Sequence, residues 1–182
     1  LSGKTVWLWC FTSSTATYYM VDQSRGSPAL SKFFKEAFDG ILITDFWSAY
    51  NAVVCTGRQT WLPHLMRELK KVDDHNGSAE WVEFSKKLGR ILKDAIRLSK
   101  KDLPDPKYQS LRSRLDQRLD YLIEMPWHDA DVKRLVKRLR RFRQTIFTFL
   151  DYPLVPSDNN HAEREIRPAV IMRKTSQGNR SG

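Results

Sequence analysis

The segment "DNNHAERE" (158–165) sets Glu163 among an aspartate, two amides, a histidine and Arg164, where a helix is expected to begin. A carboxylate in such company serves either as half of an ion pair or as a ligand for a hard cation. Asn159, Glu163 and Arg167 follow one another at intervals of four and so share one helix face. A second carboxylate, Asp45, closes the apolar run "GILITDF" (40–46), which reads as a strand. Groups at a strand end and on a late helix can meet at the edge of an α/β sheet, where crevices form. Mg²⁺ accepts a few carboxylates completed by water and phosphate. Two such ions about 3.5 to 4 Å apart stabilise the attacking and leaving oxygens of a phosphoryl displacement. Glu flanked by Arg is also an ordinary surface ion pair, so spacing alone leaves both readings open.

The elements that must position these residues are legible in outline. "TVWLWCF" and "ATYYMV", separated by "TSST", predict an antiparallel hairpin. Asp22, at its end, reads as a solvated strand-end residue. "SPALSKFFKEAF" predicts a helix capped by Ser27, with Pro28 at its first position and Leu30, Phe33, Ala37 and Phe38 on one face. The unbroken Ile41, Leu42, Ile43 predicts a strand buried on both faces. A short helix around "WSAYNAV", an element at "RQTWL" and the amphipathic "HLMRELKKV" follow. Residues 78–150 show no strand but three helical stripes: one from Trp81 to Leu98, one from Tyr108 to Leu122, one from Leu135 to Phe149. The last carries Arg138 and Arg141 off its apolar face. Ser157 or Asp158 can cap the final helix, which Pro168 should kink or end.

With 182 residues, 31 basic and 21 acidic, the chain has a formal charge of +10 and a pI near 9.8, favouring a polyanionic partner, nucleic acid first. Cys10 and Cys55 have no CxxC spacing, so neither a disulfide framework nor a zinc cluster is indicated, and a reducing, cytoplasmic setting fits. No apolar run reaches the roughly 20 residues that span a bilayer. Beginning without Met and ending in "SQGNRSG", the chain reads as a piece of a longer protein.

"GILITDFWSAYN", "RQTWLPHLMREL" and "SDNNHAEREIRPAVIMRKTSQGNRS" resemble, in order, successive motifs of bacterial insertion-sequence transposases of the DDE class, in the group whose last motif reads DNNxxERxIRP followed by RK. The resemblance implies an α/β, RNase H-like fold with an inserted helical bundle: 1–75 and 152–182 forming the core, 76–151 the insertion. The sequence separation of 118 from Asp45 to Glu163 leaves room for that insertion. It implies Asp45 and Glu163 as metal-binding catalytic carboxylates, matching the second Asp and the Glu of the class, with two Mg²⁺ (or Mn²⁺) ions. The first Asp is expected on a strand preceding "GKTVWLWCFTS", so this chain alone is expected to be inactive. Asn159, Asn160 and His64 would support the ligands. Arg164, Arg167, Arg173, Lys174, Arg138 and Arg141 would contact DNA, and Trp127 could stack on a base. The implied partners are double-stranded DNA, as element ends and target, and further copies of the chain. The implied place is the bacterial cytoplasm, in association with the nucleoid, with no membrane. Rival readings are another RNase H-like nuclease or integrase, and a non-catalytic DNA-binding remnant.

Overall fold

The computed structural model describes residues 5–157 and 160–177, excepting the side chains of 172–177. The chain is mixed α/β and divides into two compact units. One gathers Leu1–Asp39, Trp47–Cys55 and Asn159–Gly182; the other gathers Gly40–Phe46 and Thr56–Asp158.

In the first unit, β1 (Trp7–Thr12) and β2 (Thr17–Asp22) form the expected hairpin, in a register that pairs Trp9 with Met20, Cys10 with Tyr19 and Phe11 with Tyr18. Side chains alternate across the strands, so Trp9 and Phe11 lie on one face and Cys10 with Tyr19 on the other. On the first face Phe11 stacks on Phe33 of α1 (Ser27–Phe33), ring centroids 4.0 Å apart, and meets Phe34 edge-on at 5.6 Å. On the second lies α6 (Asn160–Gln177), with Tyr19 Oη donating to Glu165 O at 2.7 Å and His161 Nε2 lying 3.0 Å from Ser13 O.

Three sequence expectations change here. The first helix stops at Phe33 instead of Phe38, and Gly26, extended, holds the N-cap position assigned to Ser27. Consecutive helical side chains point about 100° apart; leaving the helix at Phe34 lets Phe33 and Phe34 both reach Phe11. Asp22 is not solvated: at 8% exposure it accepts from Lys32 Nζ at 2.5 Å and from Ser24 N at 2.7 Å. Those bonds, the lysine's first, hold its carboxyl below the usual range. The final helix does not end at Pro168 but runs on to Gln177. Pro168 is exposed, so water can satisfy the carbonyl that its missing N–H leaves unbonded.

β3 (Phe38–Thr44) and β4 (Cys55–Thr60) pair as a second two-stranded sheet. Phe38 N donates to Val54 O and Trp61 N to Thr44 O, both at 2.8 Å; the two ends run in the same order, so the pair is parallel. Ile41, Leu42 and Ile43 are half-buried rather than buried on both faces, because β4 is the single strand beside β3 among the described residues. A 3₁₀ turn, Ser48–Ala52, lies between the strands.

The second unit is built on α2 (Leu62–Asp73), α3 (Ala79–Leu98), α4 (Asp105–Glu124) and α5 (Ala130–Arg141). Their stripes meet in one core in which Trp81, Phe84, Leu88, Leu119, Leu135 and Leu139 are fully buried. Trp127 belongs to it too, contrary to the base-stacking expectation. It is 8% exposed, donates Nε1–H to Leu122 O at 2.9 Å and meets Phe84 edge-on at 5.5 Å.

The third stripe breaks at Phe142 into two 3₁₀ turns, Arg143–Thr145 and Thr148–Leu150. Polar side chains tie this segment to β4. Gln59, wholly buried, donates Nε2–H to Ile146 O at 3.1 Å and accepts from Phe149 N at 2.8 Å. Thr148 Oγ1 donates to Arg58 O at 2.5 Å. A continuous helix would consume those backbone groups internally. Replacing Gln59 by Leu strands a buried donor and acceptor, so the denaturant midpoint of the chain is expected to fall by the equivalent of about 1–3 kcal/mol. An unchanged midpoint would show that Gln59 is not the clasp described.

The starts of α3 and α5 share one polar node. Ser78 caps α3 by accepting from Trp81 N, and Asp129 caps α5 by accepting from Asp131 N and Val132 N. Glu80 accepts from Asp129 N at 2.6 Å and His128 N at 2.8 Å. The Asp129 N–H, then the His128 N–H and ring, hold the Glu80 carboxyl below its ordinary range, against an opposing effect of burial. A carboxylate whose folded pKa is depressed contributes stability that is complete above its unfolded pKa and is lost as pH falls through the folded value. The urea midpoint is therefore expected to hold from neutrality down to the ordinary carboxylate range and drop below it, with Glu80→Gln making the drop shallower. An equally steep drop in the variant would remove Glu80 from the account.

Candidate functional site

Asp45 directly follows β3 and is half-buried. The strand before it ends in Thr44, whose carbonyl accepts from Trp61 N at 2.8 Å, so the backbone delivering Asp45 is fixed by the parallel pairing with β4. This is the carboxyl end of a parallel strand, the end at which α/β sheets present their functional groups.

Glu163 lies in the first turn of α6, also half-buried. His161 and Glu165 turn one face of α6 to the hairpin: His161 reaches Ser13 O, and Glu165 accepts from Thr17 Oγ1 at 3.4 Å. Glu163 is two residues from each, about 200° around the helix, so it sits on the side away from the hairpin, with Arg167 one turn further along. An acid in the first turn also suits the positive end of the helix dipole. The motif thus separates two glutamates by role: Glu165 secures the helix, and Glu163 is turned elsewhere.

Asp45 and Glu163 belong to different compact units. Among the described residues there is no group of three or more His, Cys, Asp or Glu side chains that could hold a metal ion.

The supporting residues fall as follows. Asn160 opens α6, while Asn159 lies outside the described residues, as do the side chains of Arg173 and Lys174. His64 stands exposed in the first turn of α2, its ring 4.3 Å from that of Trp61, which also carries Arg67 over its face at 4.7 Å. Arg164 and Arg167 are exposed on α6.

On α5 the basic residues divide. Arg138 is paired with Glu68 of α2 and lies over the Phe46 ring at 5.2 Å, and Arg134 is paired with the same Glu68. Arg141 is exposed, with no acidic partner among the described residues. Arg112 and Arg143 are likewise committed, both to Asp116, with Asp151 and Asp120 as further partners. Much of the bundle's arginine therefore serves the bundle itself.

The sequence reading also passed over a trio in the first unit. The Arg25 guanidinium lies over the rings of both Trp7 and Trp47, 4.8 and 4.4 Å from their centroids. Trp7 shares a strand face with the buried Trp9 but is exposed, and its place at the first residue of β1 was the available signal.

Comparison with known proteins matches residues 2–181 to the transposase IS66 family. The chain belongs to the IS66 transposase family. No curated protein and no solved structure matches it. Membership makes DNA transposition the function in general terms, DNA the partner and DNA cleavage the broad enzyme class. It covers both motifs of this IS66 chain, the one ending β3 and the one opening α6, and the bundle between them. Among the described residues no helix is long and apolar enough to cross a membrane.

Proposed function

We propose that this IS66-family chain is the catalytic part of a DNA transposase, an RNase H-like core (1–75 and 152–182) interrupted by a helical insertion (76–151). Asp45 and Glu163 are two of its metal-binding carboxylates. The observation that carries the reading is the placement of Glu163 on the side of α6 opposite the residues that secure that helix to the hairpin. A glutamate needed only for docking would sit with Glu165.

The donor set fits Mg²⁺ or Mn²⁺ in kind, being hard carboxylate oxygen, with water and DNA phosphate to complete the shell. Two such ions, when bound, supply activation of water or a 3′-hydroxyl and stabilisation of the leaving oxygen. The protein's own work is positioning. The parallel strand pair fixes the backbone at Asp45, the first turn of α6 presents Glu163, and Asn159, Asn160 and His64 orient the ligands. Arg164, Arg167, Arg173 and Lys174 hold the phosphates of the element end, with Arg141 a further contact on the bundle. Arg138 joins them only by giving up Glu68. Transposases act on paired ends, so the working form is an oligomer on DNA in the bacterial cytoplasm.

The test is cleavage of a labelled element-end duplex, with Mg²⁺ or with chelator, by the complete transposase carrying this chain and by its Asp45→Asn and Glu163→Gln variants. Metal-dependent cleavage that either variant retains in full would overturn the assignment of that carboxylate.

A further inference from the structure

We infer that Trp7, Arg25 and Trp47 form a phosphate-binding fork for duplex DNA on the first unit, with Trp47 two residues beyond Asp45 in sequence. This rests on DNA being the partner of the chain.

The trio stands out by exposure and by partners. Trp9, Trp61, Trp81 and Trp127 are buried, whereas Trp7 and Trp47 are 37% and 41% exposed. Large aromatic surface is left in water beside an exposed arginine. Among the described residues Arg25 forms no ion pair. Its nearest acid in sequence, Asp22, is already committed to Lys32 and to Ser24 N. The bundle arginines show the opposite habit, Arg112, Arg134, Arg138 and Arg143 each meeting a carboxylate.

Two rings over one guanidinium restrict the rotamers of a side chain that would otherwise lose them on binding. Contact with the rings does not neutralise the charge, and the N–H donors lie in the guanidinium plane, where a phosphate can accept two of them together. A held, uncompensated guanidinium flanked by flat apolar surface fits a sugar–phosphate chain. It does not read bases, so the contact should be indifferent to sequence.

Fluorescence anisotropy of a labelled duplex with the 182-residue chain, over a salt series, tests this. Arg25→Gln is expected to weaken binding and to reduce the slope of log affinity against log salt by about one, the share of one phosphate contact, with an unchanged thermal midpoint. Unchanged slope and affinity would overturn the proposal and leave the trio as a packing contact joining β1, the β2–α1 connection and the start of the 3₁₀ turn. If Arg25→Gln unfolds, Arg25→Lys decides: it keeps a point charge without the planar fork and is expected to keep the slope while losing affinity, and undiminished affinity overturns the fork. Absence of salt-dependent binding by the parent chain would overturn the fork together with the DNA reading. Salt-dependent binding by the parent chain that the Arg25 variants keep undiminished overturns the fork alone and leaves the DNA reading standing.

Discussion

Glu163→Gln in the complete transposase is expected to slow cleavage of element-end DNA on the order of 10³-fold, about 4 kcal/mol of transition-state stabilisation, while DNA affinity stays within about twofold. Gln preserves the length and shape of the side chain in the first turn of α6 and removes only the negative charge a divalent cation needs. The residual rate should be the same in Mg²⁺ and in chelator. Glu165→Gln is the internal control. Its carboxylate accepts from Thr17 on the hairpin side of the helix, so it is expected to cost some docking stability and leave cleavage intact. If Glu165→Gln were the inactive variant and Glu163→Gln the active one, the roles assigned to the two faces of α6 would be reversed.

The largest effect on stability is expected from Phe84→Ala. Phe84 is fully buried, with the ring of Trp81 at 6.1 Å and that of Trp127 edge-on at 5.5 Å. Truncation removes the transfer energy of the ring and leaves a cavity between two indoles too rigid to fill it, a loss of about 3–5 kcal/mol. Small units are stable by only about 5–15 kcal/mol, so the urea midpoint should move far enough for partial unfolding of the bundle to show in the far-ultraviolet circular dichroism. A shift below about 1 kcal/mol would mean that the three rings do not form the centre of this core.

Periodicity made the bundle legible. The stripes from Trp81 and Tyr108 are the buried faces of α3 and α4, since a stripe every three or four residues has one low-energy home. The hairpin was readable from its aromatic and β-branched runs around "TSST". What escaped were places where a tertiary bond outweighs the local pattern. The stripe through Phe149 looks helical, yet the chain leaves the helix because Gln59, some ninety residues earlier in sequence, takes its backbone groups. Leu30, Phe33, Ala37 and Phe38 fit one amphipathic face, yet the helix ends at Phe33, and Phe33 and Phe34 both turn to Phe11. Asp22 and Trp127 were misplaced because burial depends on partners, Lys32 for one and Leu122 O with the Phe84 ring for the other, that hydrophobic periodicity does not register. The candidate site was legible as motifs: "TDF" at a strand end and "NNHAERE" at a helix start. The division of labour between Glu163 and Glu165 needed the hairpin contacts to be seen.

The Gln59 clasp has a consequence for how the chain is assembled and how it can vary. Its two sides are residues 59 and 146–149, so the polypeptide leaves β4 and returns to it at one place after an excursion through α2 to α5. Closing so long a loop costs much chain entropy, and the contacts inside it are mostly local, so the helices are expected to form first and the clasp to close late in folding. A detour whose ends meet can also gain or lose turns at its far end without displacing the strand it departs from. The same four hydrogen-bonding groups could hold a much shorter or longer excursion in an otherwise similar chain.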